Sequence, residues 1–139
     1  MTHKKTILFV CTGNCVRSQI AEGFGKAYAD GRFMIMSAGA FPHGLHPLVV
    51  ETMKEIDIDV SAQTSDMITS AMIEQADLIV TLCTAVRDRL PLAAKMKKQI
   101  HWDIENPDIT CPSDTARRAA FARVRDVIGE KVKKLLDEI

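Results

Sequence analysis

Apolar positions along the chain switch repeatedly between the rhythm of strands and the rhythm of helices. Thr6 to Val10 is a short run of β-forming apolar residues, halted by Thr12-Gly13-Asn14, and such a run fits a strand buried on both faces. Ile20, Phe24 and Tyr28 then recur at steps of four, with Ala21 and Ala27 beside them, and predict an amphipathic helix from about Arg17 to Asp30. Phe33 to Ser37 reads as a second strand, closed by Ala38-Gly39. Val49, Met53 and Ile56 mark the inward face of a helix that opens near His46-Pro47, where proline is tolerated in the first turn. Ser65-Asp66 offers an N-cap for a short helix through Met72 and Ile73. Asp77 to Leu82 forms a third strand with Cys83 at its carboxyl end. Ala85 to Lys98 is a polar helix or loop interrupted by Pro91, and Gln99 to Trp102 is a weak fourth strand. Phe121, Val124, Ile128, Val132, Leu135 and Ile139, at steps of three and four, predict a long final helix.

Four strands alternating with helices predict an α/β fold in one domain over residues 1–139: a doubly wound, four-stranded parallel sheet with helices on both faces. Ligands of such sheets bind beyond the carboxyl ends of the strands. That edge receives the loops after Val10, Leu82 and Trp102.

Composition narrows the function. Lys and Arg total 18 against 18 Asp and Glu, so the cationic face needed for nucleic acid or an acidic membrane surface is not expected. An anion recognised here must be held locally. The apolar run Ile7 to Val10 is shorter than the roughly 7–15 residues of a secretory signal, and no stretch approaches the ~20 residues of a membrane span. Cytoplasmic residence is the expectation. The four cysteines, Cys11, Cys15, Cys83 and Cys111, lack the paired spacing of a structural zinc site and are too sparse for a disulfide scaffold. They read as thiols in a reducing compartment.

The chemistry concentrates between the first strand and the first helix, in Cys11-Thr12-Gly13-Asn14-Cys15-Val16-Arg17-Ser18. A cysteine and an arginine so spaced can bracket a loop whose backbone N–H groups turn inward at the positive end of the following helix, which makes an oxyanion cradle. Gly13 frees the backbone for the tight turn, Arg17 grips two oxygens of a tetrahedral anion, and the positive field favours Cys11 as a thiolate. Thiolate and anion then share one pocket, as nucleophilic attack at phosphorus or arsenic requires. Ser18 is placed to donate a hydrogen bond to the sulfur. The bland alternative is a buried strand-end cysteine and a surface arginine.

Nearly end to end, the chain resembles the low-molecular-weight tyrosine phosphatase fold and, within it, the thioredoxin-coupled arsenate reductases. The segments that carry the likeness are Cys11-Thr12-Gly13-Asn14 with Arg17-Ser18-Gln19, Ala21-Glu22-Gly23, Ser37-Ala38-Gly39, Met53-Lys54-Glu55, Asp57-Ile58-Asp59, Thr64-Ser65-Asp66, Thr81-Leu82-Cys83 and His101-Trp102. Cys83 separates the two branches, since phosphatases of the family usually have aspartate there. The resemblance implies that Cys11 attacks arsenate, that Cys83 resolves the adduct with release of arsenite, and that a third cysteine seven residues on passes the disulfide to thioredoxin. This chain has Leu90 at that third position, so the reductant is left open between thioredoxin and a small-thiol or glutaredoxin system.

Two further departures bear on mechanism. The family places an aspartate before the proline of the loop after the fourth strand, to protonate the leaving oxygen, and here Asn106 precedes Pro107. A neutral amide donates a hydrogen bond but transfers no proton, and loss of general acid catalysis forfeits about 10²–10⁴ in rate. Glu105 and Asp108 are the nearby carboxylates that could substitute. The family also commonly has cysteine immediately before the arginine, where this chain has Val16 with Cys15 one place earlier. Cys15 reads either as packing or as a partner that protects Cys11 in a local disulfide, and Cys111 as a plain loop thiol or a substitute resolving cysteine. Pro107 is followed by Asp108-Ile109-Thr110, without the tyrosines that wall a phosphotyrosine slot, and the one tyrosine is Tyr28. With only Phe41 to flank the pocket, a small inorganic oxyanion such as arsenate or phosphate fits better.

Some family reductases hold a potassium ion, and the matching positions are Asn14, Glu22, Ser37 and Asp66, an oxygen set suited to a hard cation. Each reads equally as a cap or loop brace, and no cofactor is required. His43, His46 and His101 show no metal spacing and read as loop or surface residues. Trp102 reads as core, and Arg117, Arg118, Arg123 and Arg125 as a solvated helix face. The sequence thus favours a thiol-dependent arsenate reductase. The alternatives are a low-molecular-weight tyrosine phosphatase and a non-catalytic oxyanion-binding or redox-sensing relative.

Overall fold

Residues whose side chains cannot face water on either side pull the sheet into the middle of the molecule. The computed structural model describes residues 4–108 and 113–139, and Cys111 lies outside them. Chain order is β1 (Lys5–Cys11), α1 (Arg17–Ala29), β2 (Phe33–Gly39), α2 (Pro47–Lys54), α3 (Ser70–Gln75), β3 (Leu78–Thr81), α4 (Thr84–Arg89), α5 (Leu92–Lys95), β4 (Lys98–His101) and α6 (Asp114–Glu138). The strands form one parallel sheet in the order β2-β1-β3-β4. Ile7, Leu8, Phe9 and Val10 are all essentially without solvent exposure, as expected of a strand covered on both faces. Helices α1, α2 and α6 pack on one another, while α3, α4 and α5 gather beside β1 and β3. This is the doubly wound parallel sheet that the hydrophobic pattern predicts.

Strand order reverses between β1 and β3, so the crevice beyond their carboxyl ends is where a ligand is expected. Cys11 is the last residue of β1, and Cys83 follows β3 after Leu82, whose N–H donates to the Val10 carbonyl at 2.9 Å. The topology thus brings two thiols 72 positions apart in sequence to neighbouring strand ends. Phe121, Val124, Ile128, Val132 and Leu135 of α6 are buried as their spacing predicts. At Gly129 the helix presses on α1 so closely that a Cβ there would stand 2.6 Å from Phe24 Cζ.

Three expectations are corrected. Ser65-Asp66 does not cap a helix: Gly39 N–H donates to the Asp66 carbonyl at 2.9 Å and Ile68 N–H to the Gly39 carbonyl at 3.0 Å, which keeps this segment extended along the end of β2. The helix starts at Ser70 instead, with Thr69 Oγ1 accepting from Met72 N–H. Arg125 is no part of a solvated face. Its side chain is 11% exposed and donates to the Thr52 carbonyl at 3.0 Å, joining α6 to α2, whereas Arg117, Arg118 and Arg123 are exposed. Nor is His101 a loop or surface residue, since it ends β4, whereas His46 lies in a loop as expected. His101 Nδ1 bonds Thr81 Oγ1 at 2.7 Å between strands, and His46 caps α2. Trp102, half-buried, lies against Phe9 as a core residue.

Candidate active site

The loop from Thr12 to Val16 is shaped from outside. Its carbonyls are each taken by a neighbour: Thr12 by Phe41 N–H, Gly13 by His43 N–H, Cys15 by His46 N–H, and Asn14 by Gln19 Nε2 at 2.9 Å. In a trans peptide the next N–H points opposite to the carbonyl. Four outward carbonyls therefore aim the N–H groups of Gly13, Asn14, Cys15 and Val16 inward, an arrangement able to hold an anion.

The turn is made differently from the sequence expectation. Asn14, not Gly13, holds the left-handed conformation, at φ 46°. Asparagine tolerates it because its short polar side chain bonds locally. Here Asn14 is fully buried, its Oδ1 accepts from Asp66 N–H at 2.7 Å, and its Nδ2 donates to Ser18 Oγ at 2.8 Å and Ser37 Oγ at 3.0 Å. Gly13 fits closely, since a Cβ there would lie 3.0 Å from His43 Cδ2 and 3.1 Å from Cys15 Sγ and those side chains would have to give by a few tenths of an ångström.

Cys11, buried, has its sulfur 2.9 Å from Ser18 Oγ. Because Ser18 Oγ already accepts from Asn14, its own proton is free to point at sulfur, the polarity that stabilises a thiolate. Cys83 is buried and a free thiol, and its sulfur stands 3.2 Å from Thr12 Oγ1, the side chain next to the nucleophile. Arg17 opens α1 and donates from one guanidinium nitrogen to the Ile104 carbonyl at 3.0 Å. That anchors its fork over the loop with further N–H groups left for an anion. The described cysteines are thus Cys11 and Cys83 at adjoining strand ends and Cys15 within the loop, all three free thiols. Burial pushes the Cys15 thiol above its usual range, helped by the negative charges of Cys11 and Asp108.

The loop after β4 sorts its carboxylates. Glu105 does not reach toward the anion loop: its carboxylate accepts from Arg123 at 2.8 Å on α6, which holds it below the usual carboxylate range. Asn106 turns its Oδ1 back onto Asp108 N–H at 3.0 Å. Asp108 meets His46 Nε2 at 3.3 Å and Arg117 at 3.8 Å. Phe41 is 52% exposed with the Arg89 guanidinium over its ring, so it forms an open flank rather than a slot wall. Gln19, His46 and Gly39 do positional work that residue type alone does not reveal. A glutamine at a helix position facing the core is the signal available.

The oxygen set matched to potassium is hydrogen-bonded among its own members and to Lys26 and Thr64. Ser37 donates to Glu22 Oε1, Lys26 Nζ lies on Glu22 Oε2, Asn14 Oδ1 is taken by Asp66 N–H, and Asp66 Oδ2 accepts from Thr64 at 2.7 Å. Among the described residues no buried side-chain polar atom is left without a partner. Lys26 thus places one positive charge beside Glu22.

Comparison with known proteins agrees with this geometry. The model of the low molecular weight phosphotyrosine protein phosphatase family matches residues 6–139. A protein of Halalkalibacterium halodurans named arsenate reductase is 45% identical over 131 residues, 94% of each chain. One of Bacillus subtilis with the same name is 43% identical over 133 residues, 96% of each. A solved arsenate reductase in the phosphate binding state superposes with a TM-score of 0.84 at 32% identity, covering 97% of this chain and 98% of that one. Wzb of Vibrio vulnificus, solved with benzylphosphonate, reaches 0.84 at 22% identity, covering 99% and 100%, and shares the fold.

Proposed function

We infer the reaction from membership and from one contact: the chain belongs to the low molecular weight phosphotyrosine protein phosphatase family, and within it acts as a thiol-dependent arsenate reductase. The observation that carries this reading is Cys83 against Thr12, a second thiol delivered to the nucleophile's neighbour. Relatives named arsenate reductase at 45% and 43% identity support it.

Arsenate enters the cradle of inward N–H groups with Arg17 on its outer oxygens. The Cys11 thiolate forms a bond to arsenic, and an arsenic–oxygen bond breaks with its oxygen leaving as water once protonated; arsenic stays pentavalent. Ser18 holds the sulfur in line. Cys83, as thiolate, then attacks the Cys11 sulfur. The S–As electron pair remains on arsenic, which leaves as trivalent arsenite, and a Cys11–Cys83 disulfide is formed. Leu90 stands where a relay thiol would take the disulfide over, so we assign its reduction to an external thiol, thioredoxin or a small thiol with glutaredoxin, acting on this pair directly. Among the described residues no helix is long and apolar enough to cross a membrane, and we place the reaction in the reducing cytoplasm.

Arsenite release assayed with thioredoxin, and separately with a small thiol, tests the reading. Turnover with at least one is expected, and Cys83→Ser should abolish it while leaving a covalent Cys11 adduct visible by mass. Aryl phosphate hydrolysis that survives Cys83→Ser, without any arsenate reduction by the parent chain, would establish the phosphatase instead.

A further inference from the structure

A proton must reach the departing oxygen, yet the position before Pro107 carries an amide. Three carboxylates lie in the same loop. Asp103 and Glu105 border a groove over Val124 and Val127 of α6, with Glu105 held by Arg123. Asp108 is drawn the other way. His46 Nδ1 accepts from Leu48 N–H at 3.0 Å, which fixes the neutral ring's proton on Nε2, and Nε2–H faces Asp108 Oδ2 at 3.3 Å. The main-chain N–H of the same histidine donates to the Cys15 carbonyl in the anion loop at 3.1 Å, and its ring lies on Phe121, 5.0 Å between centroids. His46 is therefore a fixed post between the anion loop and α6, and Asp108 is fastened to it. On the loop's other side Arg17 grips the Ile104 carbonyl. The loop is tied to the anion site through Ile104 and through Asp108, and of its carboxylates Asp108 is the one fastened to a residue that holds the anion loop.

We propose that Asp108, positioned by His46 and Arg117, is the acid that serves the leaving oxygen in place of Asn106. This rests on the reductase reading. The groups facing it are His46, Arg117 and the thiol of Cys15. In the first step the Cys11–arsenic bond forms, the arsenic–oxygen bond breaks, and the Asp108 proton goes to the leaving oxygen, which departs as water. The carboxylate left behind is received by His46 Nε2–H and Arg117. No oxidation state changes at this stage. Asn106, by accepting Asp108 N–H, sets the turn that presents it.

The test compares Asp108→Asn, Glu105→Gln and the double variant Asn106→Asp with Asp108→Asn, each checked for folding by urea denaturation. Arsenate reduction is measured alongside single-turnover release from a series of aryl phosphates of rising leaving-group basicity. Asp108→Asn should lower arsenate turnover by about 10²-fold or more. On aryl phosphates the loss should grow with leaving-group basicity, Glu105→Gln should be neutral, and the restored aspartate of the double variant should recover most of the rate. Losses equal for all leaving groups, or a rate within about threefold of the parent, would overturn the assignment of Asp108 and leave the reductase intact. A parent chain that releases no arsenite with either reductant fails the reading itself, and the aryl phosphate series then decides Asp108 independently. If the parent turns over neither substrate, both fall.

Discussion

Adding a single methyl group at Gly39 should disable the anion loop more than it unfolds the protein. Gly39 closes β2, and a Cβ there would stand 2.7 Å from both Asn14 N and Thr12 O. Ordinary contact begins at 3.4 Å, so about 0.7 Å must be found, and both neighbours are backbone atoms that cannot rotate aside. They are also fastened: Thr12 O accepts from Phe41 N–H, and Asn14 is pinned by Asp66 N–H. Overpacking of this kind costs about 1–3 kcal/mol, visible in urea unfolding as a lowered midpoint with an unchanged slope. A displacement of about 1 Å at a reacting centre costs ~10²-fold in rate. Gly39→Ala is expected to bind phosphate at least tenfold more weakly by calorimetry and to release arsenite about 10²-fold more slowly, while remaining folded at 25 °C. Phosphate affinity within twofold of the parent, together with an unchanged urea midpoint, would refute the claim that strand end and cradle are in rigid contact.

Two further outcomes follow from the site. Ser18→Ala removes the donor to Cys11 and strands one Asn14 N–H in a buried position. It should lose about 1–3 kcal/mol in urea unfolding and slow adduct formation, whereas Ser18→Thr, which keeps the hydroxyl, should recover much of the rate. Cys15 has its pKa raised by burial, then by Cys11 and Asp108, so it stays a neutral thiol at pH 7. The proton it holds more tightly in the folded state favours folding below the ordinary thiol pKa of about 8.5, and this contribution is lost as pH rises through the folded value. Iodoacetamide labelling followed by peptide mass mapping should find Cys15 slow until well above that pH, and faster at a given pH in Asp108→Asn.

Much of this was legible in the residues because the signals were local. Ile20, Phe24 and Tyr28 at steps of four give α1, the apolar run into Val10 gives β1, and strand-loop-helix around Cys11 gives the cradle. What was not legible depends on pairs distant in sequence. Ser65-Asp66 has the chemistry of an N-cap, but Gly39 and Asn14 claim its backbone first. Arg125 looks like its exposed neighbours until α2 arrives with the Thr52 carbonyl. Intrinsic freedom points to Gly13 for the tight turn, and the structure places the left-handed residue at Asn14, whose side chain is bonded three ways. His46 carried no recognisable spacing, because its partners are a backbone amide two residues on and a carboxylate 62 positions later.

The bracing behind Asn14 also bears on how this protein can tell two similar anions apart. A cradle whose carbonyls are tied from outside has a radius set by the fold, so the guest does not reshape it. Phosphate and arsenate are both tetrahedral and carry similar charge, and such a cradle holds them on nearly equal terms. Discrimination is then deferred to the sulfur chemistry: the S–As electron pair can be left on arsenic, and phosphorus has no comparably accessible lower state to receive it. Phosphate is thus an occupant that comes and goes unchanged, a competitor for the seat and never a substrate for the reductive step.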